Sequence, residues 1–306
     1  MYQEFAIIGT TASGKSDLAI NLALDLDAVI LSLDSLCVYK DINIASAKPN
    51  QKELNQIKHF GINLISINEK FNAMDFAKEY QKASKFAKDN DCPLIITGGS
   101  GFYLKTLLNG LSPEIPKLNK IPPNNQIWQI AQEIDPKFCA KFSQNDSFRL
   151  KKWYEIYLHT NEIPSIWQKN NTSEPIIKNI EIFDLLWEKD ELKKRIYQRT
   201  KKMILNGLIN EARELFAKFD PNLKPLKSIG LKESFEYLNG KYGKTYDDYA
   251  LLDDEKSAIF KLFEQICIHT TQLAKRQRTF NKSQFKDRIQ IKNSELLLKF
   301  KTKLIK

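Results

Sequence analysis

Eight consecutive residues near the start of the chain have the types and spacing to hold a polyphosphate: Gly9-Thr10-Thr11-Ala12-Ser13-Gly14-Lys15-Ser16. Their order, G-x-x-x-x-G-K-[ST], is the P-loop pattern. Gly9 and Gly14 permit backbone turns that a Cβ would obstruct. The N–H groups so exposed, with the positive end of the helix that follows, bind phosphate oxygens. Lys15 adds a point charge on the outer phosphate, and the Ser16 hydroxyl can ligate Mg²⁺. A second chemical group stands at Asp34, the one obvious carboxylate that closes an apolar run in this region. It suits either a general base or a Mg²⁺ ligand, and local pattern favours neither.

These residues need elements to position them. The run Glu4-Phe5-Ala6-Ile7-Ile8 reads as a strand entering the loop, and Asp17 to Ala23 as the helix leaving it. Ala28 to Leu33 reads as a buried strand ending at Asp34-Ser35. Asn72 to Asp89 reads as a helix with Phe76, Tyr80 and Phe86 on related faces. Pro93 to Thr97 is a further buried strand, ending at Gly98-Gly99-Ser100-Gly101. Strands that are apolar on both faces and alternate with helices imply a parallel sheet covered on both sides. Ligands of such sheets sit at the carboxyl ends of the strands. The three turns Gly9–Ser16, Asp34–Ser35 and Gly98–Gly101 are therefore expected to converge on one site. No Walker B aspartate ends the Pro93–Thr97 strand, which weakens an ordinary ATPase reading.

Further along, Pro113, Pro116, Pro122 and Pro123 mark a linker. A helical, aromatic segment follows to about Thr160 and carries Arg149-Leu150-Lys151-Lys152, which reads as a small insertion. Glu181 to Trp187 returns as a strand. One long amphipathic helix is expected from about Glu191 to Ala217, with Arg195, Arg199 and Lys202 on one face. A last long helix is expected from about Glu255 to Lys275, with Lys275-Arg276-Gln277-Arg278 at its end.

The chain has 306 residues, 42% hydrophobic and 27% charged, which indicates a folded globular protein. No apolar run approaches the roughly 20 residues of a membrane span. No secretory signal is evident. Cys37, Cys92, Cys139 and Cys267 are far apart, which suits a reducing compartment, and His59, His159 and His269 are isolated. The formal charge of +10 suits a polyanionic partner larger than a nucleotide. Of the 47 basic residues, only Arg149, Arg195, Arg199, Arg213, Arg276, Arg278 and Arg288 are arginine. Arginine kept in a lysine-rich chain points to a need for its planar, bidentate fork.

Six ordered motifs resemble the tRNA dimethylallyltransferase family, also called tRNA isopentenyltransferases. They are the Gly9–Ser16 loop; Asp34-Ser35-Leu36-Cys37-Val38-Tyr39 with Ser46-Ala47-Lys48-Pro49; Gly98-Gly99-Ser100-Gly101-Phe102-Tyr103; Arg195, Arg199, Met203, Gly207, Leu208 and Glu211 at the family's spacing; Ile229-Gly230-Leu231-Lys232-Glu233; and Gln272-Leu273-Ala274-Lys275-Arg276-Gln277-Arg278-Thr279. The chain departs from the family at several places. Cys37 stands where Gln is usual, Thr271 and Lys152 where Arg is usual, Phe280 where Trp is usual, and His59-Phe60 where the family has paired histidines. These departures bear on RNA contact more than on phosphate chemistry.

The resemblance implies an α/β fold: a P-loop NTPase-like parallel sheet flanked by helices, with a small helical insertion and a helical C-terminal part. It implies a catalytic core over 1–112 and 175–306, and an insertion over 113–174 that contacts tRNA. It implies a cytoplasmic, monomeric enzyme that uses Mg²⁺. The reaction would move a dimethylallyl group from dimethylallyl diphosphate to N6 of the adenosine 3′-adjacent to the anticodon, in tRNAs reading codons that begin with U. Asp34 would be the base, with Thr11 beside it. Gly9, Thr10, Ala12, Ser13, Gly14, Lys15 and Ser16 would hold the diphosphate with Arg195 and Arg199, and Ser16 the Mg²⁺. The tRNA anticodon stem-loop would meet Asp34, Ser35, Leu36, Cys37, Ser100, Arg149, Lys152, Lys232, Lys275, Arg276, Gln277 and Arg278. Three rivals remain: prenylation of a free adenine nucleotide, a small-molecule P-loop kinase, and an RNA-binding protein gated by a nucleotide. Dimethylallyl diphosphate and ATP both present a diphosphate, so the loop alone selects neither.

Overall fold

Among the described residues, six short strands, all parallel, form one sheet in the order β3-β2-β4-β1-β5-β6. They are β1 (Glu4–Gly9), β2 (Val29–Ser32), β3 (His59–Phe60), β4 (Leu94–Thr97), β5 (Glu181–Leu186) and β6 (Ile289–Lys292). This computed structural model describes residues 3–245 and 249–292. β2 and β4 are buried at every position, because helices cover both faces. Register brings the carboxyl ends level: Ile7 and Ser32 both pair with Thr97, and Gly9 pairs with Leu185. Leu33 extends this edge by donating its N–H to Thr97 O at 2.7 Å.

Helices α1 (Lys15–Leu26), α2 (Gln51–Gln56), α3 (Ala73–Asp89) and α4 (Gly101–Asn109) follow the first strands. Asn72 starts α3 by accepting from the N–H groups of Met74 and Asp75, while Asp75 reaches back to Asn72 N. The middle of the chain forms α5 (Asn124–Ile134), α6 (Pro136–Lys141), α7 (Ser147–Thr160) and α8 (Pro164–Asn171). After β5 come α9 (Lys189–Leu205), α10 (Leu208–Lys218), α11 (Leu231–Leu238) and α12 (Ala258–Gln284). Among the described residues no helix is long and apolar enough to cross a membrane.

Two helix readings change. The single helix expected from Glu191 to Ala217 is broken at Asn206-Gly207, where Gly207 takes φ +99 and begins α10. That left-handed conformation suits glycine and ends α9. The last helix starts slightly late but continues to Gln284. Lys275–Arg278 therefore lie inside α12 and not at its end. Nothing in this segment breaks a helix, and buried Asn281 carries it along the core.

The chain divides into two compact units, one of Met1–Lys105 with Asn179–Lys306 and one of Thr106–Lys178. The second has its own core of Ile127, Ala131, Phe138, Leu150 and Trp153. Asp135 is buried at its centre. It accepts from Trp153 Nε1 at 2.9 Å, Ser165 N at 2.9 Å, Ser165 Oγ at 2.7 Å and Phe138 N at 3.2 Å. Burial pushes this carboxyl up, but these donors outweigh it and hold it below the usual aspartate range. Its stabilisation is present above the unfolded value of about 3.9 and is lost as pH falls through the lower folded value. Asp135→Ala strands several buried donors, so a loss of about 3 kcal/mol is expected at neutral pH. Urea unfolding should show an earlier midpoint, and an unchanged midpoint would deny the network its role.

Candidate active site

β1 runs directly into the phosphate loop, which turns back into α1. A Cβ on Gly9 would lie 2.8 Å from Ser13 Oγ and 3.1 Å from Leu185 O, so the loop closes only over glycine. Gly14, at φ +84, starts α1. Lys15 is buried and donates to Thr10 O at 3.2 Å. Burial lowers its pKa to about 8, with a further push from Arg199 and a partial counterweight from Asp34. Ser13 Oγ is buried with no partner, a polar atom aimed into the loop without a bond of its own. Ser16, one residue into α1, is exposed.

The other two turns do meet this loop. Gly98 lies on Leu33, where a Cβ would come 2.6 Å from the carbonyl carbon. At Gly99 a Cβ would sit 2.9 Å from Gln277 Nε2, 3.7 Å from Asp34 Oδ2 and 4.0 Å from Lys15 Nζ. The base candidate and the loop lysine thus face one small volume. Asp34 is oriented by its own turn, since Oδ1 accepts from Leu36 N at 2.9 Å. That leaves Oδ2 on the Gly99 side.

α9 brings two arginines to the loop one turn apart. Arg199 Nη1 donates to Thr11 Oγ1 at 3.0 Å. Arg195 Nε donates to Ala12 O at 2.8 Å, and its guanidinium lies 4.3 Å from the centre of the Trp187 ring. Trp187, just past β5, donates from Nε1 to Ser13 O at 2.9 Å. α12 supplies two more ties. Gln277 Oε1 accepts from Thr11 N at 2.7 Å and Gln277 Nε2 donates to Gly99 O at 2.8 Å. Arg278 donates to Trp187 O.

Several placements differ from expectation. Arg195, expected on the diphosphate, binds the loop backbone through Nε and stacks on the indole, while its Nη2 lies over Gly14 of the same loop. Gln277 and Arg278 are expected on tRNA, yet both turn into their own protein. Cys37 is expected at the RNA surface, yet it is buried with Sγ donating to Ser46 O at 3.8 Å. Burial, with Asp34 nearby, pushes its thiol well above the usual range and keeps it uncharged. Trp187 has no place in the motifs. Its only sequence signal is an indole at the end of a strand on the ligand-bearing edge.

The remaining expected contacts take no part in the ties just described. Ser35 is exposed, Leu36 is half-buried, and Ser100 sits at the start of α4. Lys232, Lys275 and Arg276 are exposed. In the second unit Arg149 pairs with Asp146 and lies 4.9 Å from the Phe142 ring, and Lys152 pairs with Glu155 at 3.0 Å. Glu211 grips the segment beyond Asp34: its two carboxylate oxygens accept from the N–H groups of Asn43, Ile44 and Ala45 at 2.8–2.9 Å.

Comparisons with known proteins bear on this arrangement. The model for the IPP transferase family matches residues 37–284. The chain is 56% identical over 299 residues to a tRNA dimethylallyltransferase of Campylobacter fetus subsp. fetus, spanning 98% of this chain and 97% of that one. It is 45% identical to a tRNA dimethylallyltransferase of Nautilia profundicola, over 95% and 96% of the two chains. A solved eukaryotic dimethylallyltransferase acting on tRNA superposes with a TM-score of 0.78 at 25% identity, covering 95% of this chain and 74% of that one. A tRNA isopentenylpyrophosphate transferase of Bacillus halodurans shares the fold, with a TM-score of 0.69 at 21% identity over 99% and 95% of the chains.

Proposed function

This chain belongs to the IPP transferase family, and we propose that it transfers a dimethylallyl group from dimethylallyl diphosphate to N6 of the adenosine 3′-adjacent to the anticodon, in tRNAs that read codons beginning with U. The observation that carries this reading is the meeting of Asp34, Lys15 and Gly99 beside a Thr11 held by Arg199.

In the reaction the C1–O bond of the donor breaks and an N6–C1 bond forms. The bond electrons leave with the diphosphate, and one N6 proton must be taken up. The leaving group would gather negative charge beside Lys15 and the loop N–H groups other than those of Thr11 and Ser13, which are bound within the protein, so the stabilisation would grow as the bond breaks. Arg199 adds a fixed positive charge. Thr11 Oγ1 accepts from Arg199 and so keeps its own proton to donate to a diphosphate oxygen or to Asp34. Asp34 Oδ2 receives the N6 proton. A base inside a helix or stacked loop cannot reach this edge of the sheet, so the adenine must leave its stack.

Among the described residues no group of three His, Cys, Asp or Glu side chains could hold a metal unaided. That suits Mg²⁺, which keeps water and binds through substrate phosphates with few protein ligands. The exposed Ser16 hydroxyl at the start of α1 would be its protein ligand. Once bound, the ion would neutralise charge on the departing diphosphate. Four free thiols suit the reducing cytoplasm.

The test is the intact mass of an unmodified anticodon stem-loop after incubation with the protein, Mg²⁺ and dimethylallyl diphosphate. A gain of one C5H8 unit, located by fragmentation on the adenine, is expected. An unchanged mass, or ATP consumption in its place, would overturn the reading.

A basic surface gripping RNA implies steep salt dependence. Lys275 and Arg276 are exposed on α12, so replacing both by alanine is expected to weaken stem-loop binding. The slope of log affinity against log salt should shrink by about one to two units. Pyrophosphate binding should hold. Titration of labelled stem-loop at several salt concentrations decides, and an unchanged slope would leave these residues as solvated helix surface.

A further inference from the structure

We propose that Gln277 is a positioning residue for the transfer step: its carboxamide locks the phosphate loop to the Gly98–Gly101 turn, and so sets Thr11 and Asp34 in fixed relation. The inference rests on the transferase reading. It departs from the expectation that Gln277 contacts RNA.

The two hydrogen bonds of this side chain go to different strand ends. Oε1 takes the Thr11 N–H, in the turn after β1, at 2.7 Å. Nε2 gives a proton to Gly99 O, in the turn after β4, at 2.8 Å. β1 and β4 are parallel neighbours in the sheet, so their following turns leave it at the same edge. One amide group spans the gap. It needs both an acceptor and a donor, and a stem of glutamine length.

Thr11 is thereby held at two points. Its N–H is bound by Gln277, and its hydroxyl accepts from Arg199 at 3.0 Å. Gly99 is the point from which Asp34 Oδ2 and Lys15 Nζ are both within reach, and Gln277 Nε2 packs against the same place. No bond runs from Gln277 to Asp34 or Lys15, so it acts on the reacting groups through the backbone.

The helix that carries Gln277 is itself fixed. The next residue, Arg278, binds Trp187 O, and the Trp187 indole binds Ser13 O. One turn later Asn281 approaches Asp184 at 3.5 Å, and Asp184 is paired with Arg288 at 2.8 Å. Successive residues of α12 thus reach both flanks of the loop. A misplacement of about 1 Å between reacting groups costs on the order of 100-fold in rate.

Gln277→Glu keeps the shape and the acceptor but loses the donor to Gly99. Gln277→Met keeps the bulk and loses both bonds. We would measure single-turnover transfer at saturating stem-loop and donor, together with stem-loop affinity and thermal midpoint. The expected result is a rate lowered about 10- to 100-fold in both variants, with stem-loop affinity within threefold and a folded protein at the assay temperature. Wild-type rate in both variants overturns the proposal. So does a loss confined to stem-loop affinity, which would make Gln277 an RNA contact, or a rate loss that only follows the folded fraction. Failure of the wild-type protein to modify the stem-loop would overturn the transferase reading itself, which separates the two outcomes.

Discussion

Replacing Asp34 by asparagine is expected to lower the single-turnover rate by about 100-fold or more, within the range that loss of a general base produces. The substitution is isosteric. Its Oδ1 still accepts from Leu36 N, so the turn after β2 should keep its form. What disappears is the oxygen that takes a proton, on the side where Gly99 and Lys15 converge. An amide cannot accept the N6 proton as the new bond forms. The stem-loop should bind as before, because affinity is carried by phosphate contacts elsewhere. The measurement is rapid-quench transfer with enzyme in excess and both substrates saturating. A mutant within threefold of wild type would sink the role of Asp34 and leave it a turn residue.

Legibility in the sequence followed the range of the interactions. β1, β2 and β4 are apolar runs that stop at glycine or a polar turn, so their ends and the edge they share could be read, while the reading of β5 runs one residue too long, through Trp187. β3 has only two residues, and β6 is exposed at three of its four positions, so neither leaves an apolar run. The break at Gly207 was hidden because glycine is tolerated in a helical pattern, and only φ +99 makes it a stop. In the site, the phosphate loop, Asp34 and the Arg195/Arg199 face were all readable from local spacing. The ties that hold them were not. Gln277 meets Thr11 across 266 residues of sequence and Trp187 meets Ser13 across 174. Nothing local to a glutamine inside a basic helix says whether it faces RNA or its own phosphate loop. That choice is made by the packing of α12 on the sheet.

Removing the charge of Lys15 should have opposite effects on binding and on stability, and pH should reveal both. In the ligand-free protein burial lowers the Lys15 pKa to about 8. A bound diphosphate favours the charged ammonium, so above pH 8 binding must take up a proton. The dissociation constant for inorganic pyrophosphate should then rise by up to about tenfold per pH unit above 8, on top of the titration of pyrophosphate itself. Lys15→Met supplies the control for that background. It should bind pyrophosphate about 100-fold more weakly and lack the extra break at pH 8. Stability runs the other way. Between pH 8 and 10.5 the unfolded chain holds a proton on Lys15 that the ligand-free folded chain has released, so this group adds stability as pH rises through that window. Below pH 8 both states are protonated and the buried ammonium costs roughly 2–4 kcal/mol. Lys15→Met should therefore melt later than wild type at pH 7 without ligand, and gain little from added pyrophosphate. Isothermal titration with pyrophosphate from pH 6.5 to about 9.5, beside melting curves with and without it, tests both halves. If Lys15→Met binds like wild type and keeps the break at pH 8, the lysine does not carry the diphosphate.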